Sequence, residues 1–288
     1  MAFYNNYERG RPKTPLVNRL RVSFWSHAVL LASGAGQVGE LEAVLRGTHR
    51  LTLASGLWSR YMRGEVVPQG ALTLSPTSLV ARIAKVFPET DGAFYTPLWD
   101  LLPWMSELDL NWLKSTYLGL DESVHVHFVA RVDIDGERAA TESGKFWHLK
   151  KTLAARRAVN SEFERWDSLV ICLLEARMGY AAQSMDVFVD CQLAACRILA
   201  DLRKEPQLQA KRLQGVILLM EALCLDSLLI NVVTPTPTNE NQLKERDRCR
   251  TAVKDWRDRC GAHVASLSKN SQAAFLRALL DGTLIGRE

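Results

Sequence analysis

The chain has 288 residues, of which 47% are hydrophobic and 24% are charged, a composition that excludes a largely disordered protein. A chain of this length can bury a large core and is long enough for two domains. The longest apolar stretches, such as residues 216–220, are interrupted by charged residues such as Glu221 and are far shorter than the roughly 20 residues of a membrane span. Residues 1–7 lack the apolar run of a signal peptide, so we expect a cytoplasmic protein with no membrane partner.

Charge is distributed unevenly along the chain. Residues 1–88 hold eleven lysines and arginines against four aspartates and glutamates, a net charge of +7. The other 200 residues hold twenty-five against twenty-eight, a net charge of −3, so the overall +4 averages a basic front and a slightly acidic back. Clustered positive charge favours a nucleic acid as the partner of the front part.

The six cysteines indicate structural roles. Four of them lie among apolar residues at helical spacing, where a free cysteine acts as a small core residue: Cys172, Cys191, Cys196 and Cys224. Cys260 and His263 have a ligand-like spacing, but only Cys249 is near enough in sequence to be a third ligand. A structural zinc site normally has four ligands, so we expect neither a metal nor another cofactor.

The front part is predicted to be an arm followed by four helices. Residues 1–21 are expected to form an irregular basic arm, and apolar spacing predicts helices over residues 16–32 and 37–46. A third helix follows Leu51 and ends at Gly64. Ser75 as N-cap and Pro76 at the first helical position predict the start of a fourth helix, which Pro88 ends.

The middle of the chain contains an aromatic segment and then a strand pattern. Large aromatic side chains between residues 88 and 112 predict a connector packed against the first domain; the alternative is an exposed platform on which bases stack. Val124–Val129 and Arg131–Ile134 alternate with a period of two, and Asp135-Gly136 is a turn sequence. This pattern predicts a small β-hairpin.

From about residue 146 the pattern is helical to the end of the chain. Ser161 and Glu164 form a capping box before a helix that Gly179 is expected to interrupt. Apolar residues from Met185 to Leu202 mark the next helix, which is expected to stop near Pro206. Further helices are predicted over residues 208–230, 243–260 (ending at Gly261) and 271–280 (ending at Gly282). Consecutive helices with short links are typical of a helical bundle.

The segment from Ser59 to Pro68 is the most informative stretch. Gly64 accepts the left-handed backbone needed just past a helix, and a proline cannot continue one. The run Ser59-Arg60-x-x-Arg63-Gly64-x-x-x-Pro68, followed by Ile83-Ala84-Lys85, resembles the Cro-like and Xre-type helix-turn-helix DNA-binding proteins. The resemblance covers about residues 37–87, and the connections over 47–53 and 69–74 are longer than is usual in that family.

The resemblance implies a nucleic-acid interface on the third helix. In that family the helix lies in the major groove, so its earlier residues would face base edges and the two arginines would contact phosphates. The basic arm would lie along a groove. The binding residues predicted in this way are Arg9, Arg11, Lys13, Thr52, Ser55, Trp58, Ser59, Arg60 and Arg63.

A dinucleotide-binding fingerprint competes for the same region. Residues 34–39 satisfy Gly-x-Gly-x-x-Gly after an apolar run. That site requires a strand before it and an acidic residue about 20 positions later, but no acidic residue lies between Glu42 and Glu65. A flexible helix–helix connection is the favoured interpretation.

Catalytic patterns are weak. The sequence has no Walker loop and no Gly-x-Ser-x-Gly elbow, and His125 and His127 share one face of the predicted strand without a further ligand. We therefore expect a protein that is not an enzyme.

Together these patterns predict a mainly α protein with a helix-turn-helix-like N-terminal domain, a C-terminal helical bundle and a small β-hairpin between them. The N-terminal domain, with the aromatic connector, is predicted to cover residues 1–115. The linker is predicted to cover residues 116–145, and the helical bundle residues 146–288. The leading interpretation is a bacterial-type DNA-binding regulator whose bundle serves self-association or a protein partner. The alternative is a non-enzymatic helical adaptor or scaffold subunit of a complex, which an exposed apolar stripe on the 208–230 helix would favour. Buried stripes with an open basic face on the front would favour DNA.

Overall fold

The protein is mainly α-helical. A computed structural model describes residues 14–47, 51, 54, 56–104, 110–120, 128–130, 147–149, 165–181, 184–283 and 285. The chain divides into two compact units, Met1–Phe94 and Tyr95–Glu288. The boundary lies inside the aromatic segment, residues 88–112, which was predicted to belong to the first domain.

The described part of the first unit contains five helices, the last of which reaches its boundary: α1 Leu16–Ala32, α2 Val38–Gly47, α3 Leu57–Met62, α4 Leu79–Ala84 and α5 Glu89–Tyr95. The predicted bounds of α1 are confirmed, and an irregular arm that reaches residue 21 is therefore wrong. The predicted cap of α4 is also wrong, because the Oγ of Ser78 accepts the first-turn N–H of Ala81 at 3.2 Å. Ser75 lies in the preceding turn, where its N–H donates to the carbonyl of Gly70 at 3.0 Å.

Aromatic side chains form the core of the first unit. The ring of Trp25 on α1 lies 5.4 Å from that of Trp58 on α3 and 5.8 Å from that of Phe94, centroid to centroid. All three side chains are fully buried. Such ring contacts add to the gain from burying large apolar area, so α1 and α3 are fixed against each other by their largest residues.

The second unit is built mainly from helices. Short helices α6 Leu98–Leu101 and α7 Leu110–Leu118 precede the longer ones: α8 Arg165–Ala181, α9 Met185–Leu202, α10 Lys211–Leu228, α11 Glu240–Ala265 and α12 Lys269–Gly282. A π-helical turn, Leu229–Val233, continues α10. Helices α8 to α11 pack in sequence, and Trp256 of α11 donates its Nε1–H to the carbonyl of Leu218 in α10 at 3.1 Å.

Two glycines predicted to end helices lie inside them. Gly179 lies within α8, where a Cβ would approach Cγ1 of Val187 to 2.9 Å, so the residue permits close packing of α8 on α9. Gly261 lies within α11, and a Cβ there would meet open space. Both predictions of a helix end are wrong because glycine is tolerated in a helix whose packing outweighs its weak propensity.

The predicted hairpin is not seen in the described residues. Two short strands, β1 Phe128–Ala130 and β2 Trp147–Leu149, pair antiparallel with Phe128 opposite Leu149. The residues predicted as the second strand and turn, 131–136, lie outside the described residues, as do those of the capping box before α8. The pairing is therefore longer in range than the one that the alternating pattern predicted.

The aromatic connector is divided between the two cores. Phe94 belongs to the core of the first unit, whereas Trp99 is buried and Trp104 packs on Phe188 of α9 in the second. Arg177 of α8 donates to the carbonyls of Leu101, Pro103 and Trp104, and its guanidinium lies 4.2 Å from the centre of the Trp104 ring. These side chains are used for packing, which leaves little area for stacking bases.

Among the described residues, one helix is long and apolar enough to cross a membrane: Lys211–Val233, with a mean hydropathy of 2.2. Within its most apolar window, 78% is buried inside the protein. A core helix of this kind passes the same test of length and composition. The apolar stripe of α10 is covered by its neighbours, from Leu213 to Leu229.

Candidate nucleic-acid interface

One side of α3 is packed and the other is open. Trp58, Tyr61 and Met62 are buried, and the Oγ of Ser23 on α1 donates to the carbonyl of Met62 at 2.7 Å. The opposite side presents Arg60 and Arg63, with Ser59 half-buried beside them. The open side is therefore held in place by a buried one, so its exposed side chains lie on a rigid support.

The end of α3 requires a glycine. Gly64 has φ +63°, and its N–H donates to the carbonyl of Tyr61 at 2.8 Å. The next N–H, of Glu65, donates to the carbonyl of Arg60 at 3.0 Å, so the last carbonyls of the helix are satisfied. A Cβ on Gly64 would lie only 2.4 Å from the backbone oxygen of Arg19 in α1. The glycine thus both ends α3 and lets α1 approach it.

Arg60, Arg63 and Glu65 form a small exposed cluster. Both nitrogens of the Arg63 fork donate to the Glu65 carboxylate, the Nη2–Oε2 distance being 3.1 Å. Nε of Arg60 lies 3.7 Å from the same Oε2. The hydrogen bond to Glu65 raises the pKa of Arg63. One carboxylate thus serves two guanidinium groups, and the cluster keeps a net charge of +1.

Sequence reasoning did not assign a role to Glu65. The residue stands two positions after Arg63 and directly after the glycine that turns the chain back. The short separation of Arg63 and Glu65 in sequence was the available indication that their side chains form an ion pair. The side chains of Arg60, Arg63 and Glu65 are 51%, 42% and 44% exposed, and exposed ion pairs of this kind contribute only about 0 to 1 kcal/mol.

The structure places the remaining predicted residues in two groups. Trp58 has no exposed surface, so its assignment as a base contact is wrong: the side chain is needed in the aromatic core. The other predicted base contacts and the arm lie outside the described residues, namely Thr52, Ser55, Arg9, Arg11 and Lys13.

Three more cations are exposed on the described part of the first unit. Arg46 lies in the last turn of α2, Arg82 lies in α4 and Lys85 follows α4. The structure shows no ion pair between any of them and a described residue. They extend the positive charge of this unit beyond the α3 cluster.

The glycine fingerprint has no strand before it. Residues 29–31 belong to α1, and Gly34, with φ +68°, lies in the turn between α1 and α2. The N–H of Gly36 donates to Oε2 of Glu40 at 2.8 Å, so a carboxylate already holds the backbone donor at the start of α2. Because a helix lies on each side of this turn and no strand precedes it, the dinucleotide interpretation is wrong.

The described residues contain no group of three metal-ligating side chains. Cys260 and His263, which have a ligand-like spacing, are buried in α11, and the imidazole of His263 lies 5.3 Å from the ring of Phe275 in α12. Burial lowers the pKa of His263, as expected for a core histidine. His125 and His127 lie outside the described residues.

No family model matches this chain, and neither the curated proteins nor the solved structures contain a match.

Proposed function

We propose that the first unit binds duplex DNA, with α2 and α3 acting as a helix-turn-helix pair and the end of α3 contacting the phosphate backbone. The observation that carries the proposal is the exposed pair of arginines on a helix whose other side is locked into the core. Guanidinium groups are well suited to phosphate because their forked donors match its oxygens. The Arg46, Arg82 and Lys85 side chains supply further positive charge to the same unit.

Glu65 sets the strength of this contact. In the absence of DNA its carboxylate neutralises part of the charge of Arg60 and Arg63. On binding, a phosphate takes its place, and the displaced carboxylate remains close to the DNA backbone and repels it. Binding is thus expected to be moderate and strongly dependent on salt.

The alternative, a helical adaptor or scaffold, has lost the feature that would have favoured it. That interpretation depended on an exposed apolar stripe on the long helix of the second unit, and the stripe of α10 is buried. Large apolar side chains do remain exposed among the described residues, including the pairs Leu72 with Leu74 and Leu276 with Leu280, but none of them belongs to α10.

Fluorescence anisotropy with a mixed-sequence duplex tests the proposal. The Arg60→Ala/Arg63→Ala variant is compared with wild type and with Arg250→Ala/Arg277→Ala, which removes the same charge from exposed positions of the second unit. Two charge-assisted contacts are lost only in the first variant, so its affinity should fall by more than about tenfold. If the two variants lost the same amount of DNA affinity, net charge alone would explain the loss, and an interface on α3 would be rejected.

A further inference from the structure

A cleft of about 300 Å³ opens among α9, α10 and α11 in the second unit. Its apolar wall includes Leu193 and Ala200. Its charged lining consists of Arg197 from α9, Glu221 from α10, and Arg248, Asp255 and Arg259 from α11. Arg197 and Asp255 are exposed, Arg248 and Arg259 are half-buried and Glu221 is buried, so the charged lining extends from the surface to the bottom of the cleft.

Glu221 lies at the bottom of this cleft. Its side chain is 1% exposed, and Oε1 accepts a hydrogen bond from Nη2 of Arg259. Oε2 is buried and has no hydrogen-bond partner among the described residues, and the same is true of Nε of Arg259. A buried acceptor and a buried donor, both unsatisfied, thus belong to the same ion pair. Leaving such groups unpaired is unfavourable, and a ligand that carries both a donor and an acceptor would offset this cost.

The arginines at the cleft are not equally available. Arg248 already donates to Asp190 at 2.6 Å and to Glu245 at 2.5 Å. Arg197 is exposed and makes no ion pair with a described residue. Arg197 and Arg259 are therefore the cations that can take an anionic group, while Glu221 and Asp255 provide negative charge for a cationic one.

We propose that this cleft binds a free α-amino acid, whose ammonium group donates to Glu221 and whose carboxylate is held by Arg259 and Arg197. The unsatisfied donor and acceptor lie on one ion pair, and an α-amino acid carries its two charged groups on a single carbon. The volume of the cleft is at the lower end of the range for small-molecule sites, which suits a ligand of this size. All the residues involved belong to the second unit, so the inference does not depend on DNA binding by the first.

Thermal unfolding of the full chain with each of the twenty standard L-amino acids tests the inference. At about ten times its dissociation constant, a specific ligand should raise the melting temperature by about 3 to 6 °C. The matched acid without the amino group, such as glutarate for glutamate, should give less than half of that rise. Inorganic phosphate and nucleoside monophosphates serve as probes of a different anion chemistry.

Two variants connect binding to the cleft. Glu221→Gln and Arg197→Ala should each weaken calorimetric binding of the responding amino acid by about ten- to a hundredfold, because each removes a charge-assisted contact. Arg277→Ala, an exposed arginine of α12 outside the cleft, should bind as wild type does. If Glu221→Gln does not fold, Arg197→Ala decides the outcome, since its side chain has no described ion pair to lose.

Three results would overturn the inference. The first is that none of the twenty amino acids raises the melting temperature at about 10 mM. The second is that an amino acid binds but Arg197→Ala leaves its affinity unchanged. The third is that glutarate-type acids, phosphate or nucleoside monophosphates bind as well as the amino acids do, which would mean a general anion site without a role for Glu221.

Discussion

Glu175 provides a test of the second unit's energetics. The side chain lies in α8 and is 2% exposed, and Oε1 has no hydrogen-bond partner among the described residues. Burial raises the pKa of this carboxyl from 4.5 to about 8. The folded protein therefore holds the Glu175 proton at pH values where the unfolded chain has released it.

The consequence is a loss of stability as pH rises. Between pH 4.5 and about 8 the folded state binds more protons at this site than the unfolded state does, so the free energy of unfolding decreases with pH. The decrease approaches 1.4 kcal/mol for each pH unit and amounts to roughly 4 kcal/mol across the window. Below pH 4.5 the contribution of neutral Glu175 to the free energy of unfolding is fully present, and above about pH 8 this contribution is lost completely.

Glu175→Gln should remove this pH dependence, because an amide of the same shape does not titrate. Urea unfolding at about pH 5 and about pH 8.5, followed by circular dichroism, gives the free energy of unfolding for wild type and variant. The difference between the two proteins should change by roughly 4 kcal/mol in favour of the variant at the higher pH. Asp258→Asn, at an exposed position of α11, controls for the loss of one carboxyl group. A difference that stays constant with pH would refute the assignment of a buried neutral Glu175.

Further predictions concern Gly64 and Gly179, each with a control glycine, and the carboxylate of Glu65. Gly64→Ala should lower the free energy of unfolding by more than about 1 kcal/mol because of its positive φ, whereas Gly39→Ala, in open space on α2, should be neutral or stabilising by up to about 1 kcal/mol. Gly179→Ala should lower the free energy of unfolding by about 1 to 3 kcal/mol through the contact with α9, whereas the matched Gly261→Ala should not. Equal effects of the two substitutions in thermal unfolding would contradict the packing argument. Glu65→Gln should strengthen DNA binding by about two- to fivefold in anisotropy, and weaker binding would show that the carboxylate supports the arginines instead of competing with phosphate.

Local sequence patterns predicted the fold where residues close to the ends of a helix determine its bounds. Residues 16–32 were predicted with the bounds that the structure has, and the helix marked by residues 185 to 202, which was expected to stop near Pro206, ends at Leu202. The prediction was wrong where packing decides the outcome: Gly179 continues α8 because its missing side chain lets α9 approach. The strand partner of Phe128 could not be predicted, because it comes from a distant segment rather than from the next alternating run.

The candidate interface was predicted in part for the same reason. The exposure of Arg60 and Arg63 follows from their place on the last turn before Gly64. The burial of Trp58 depends on Trp25, which lies far away in sequence, and no spacing within α3 indicates this contact. The cleft of the second unit joins side chains from three helices, so its charged residues could not be grouped from the sequence.

The most direct test of the central claim is the salt dependence of DNA binding by wild type and Arg60→Ala/Arg63→Ala. Each phosphate contact contributes about 0.9 to the slope of log K against log salt concentration. The double variant should therefore have a slope smaller by about 2, while Arg250→Ala/Arg277→Ala should keep the wild-type slope. An unchanged slope in the double variant, or no binding at low salt by the folded wild-type protein, would contradict DNA binding through α3.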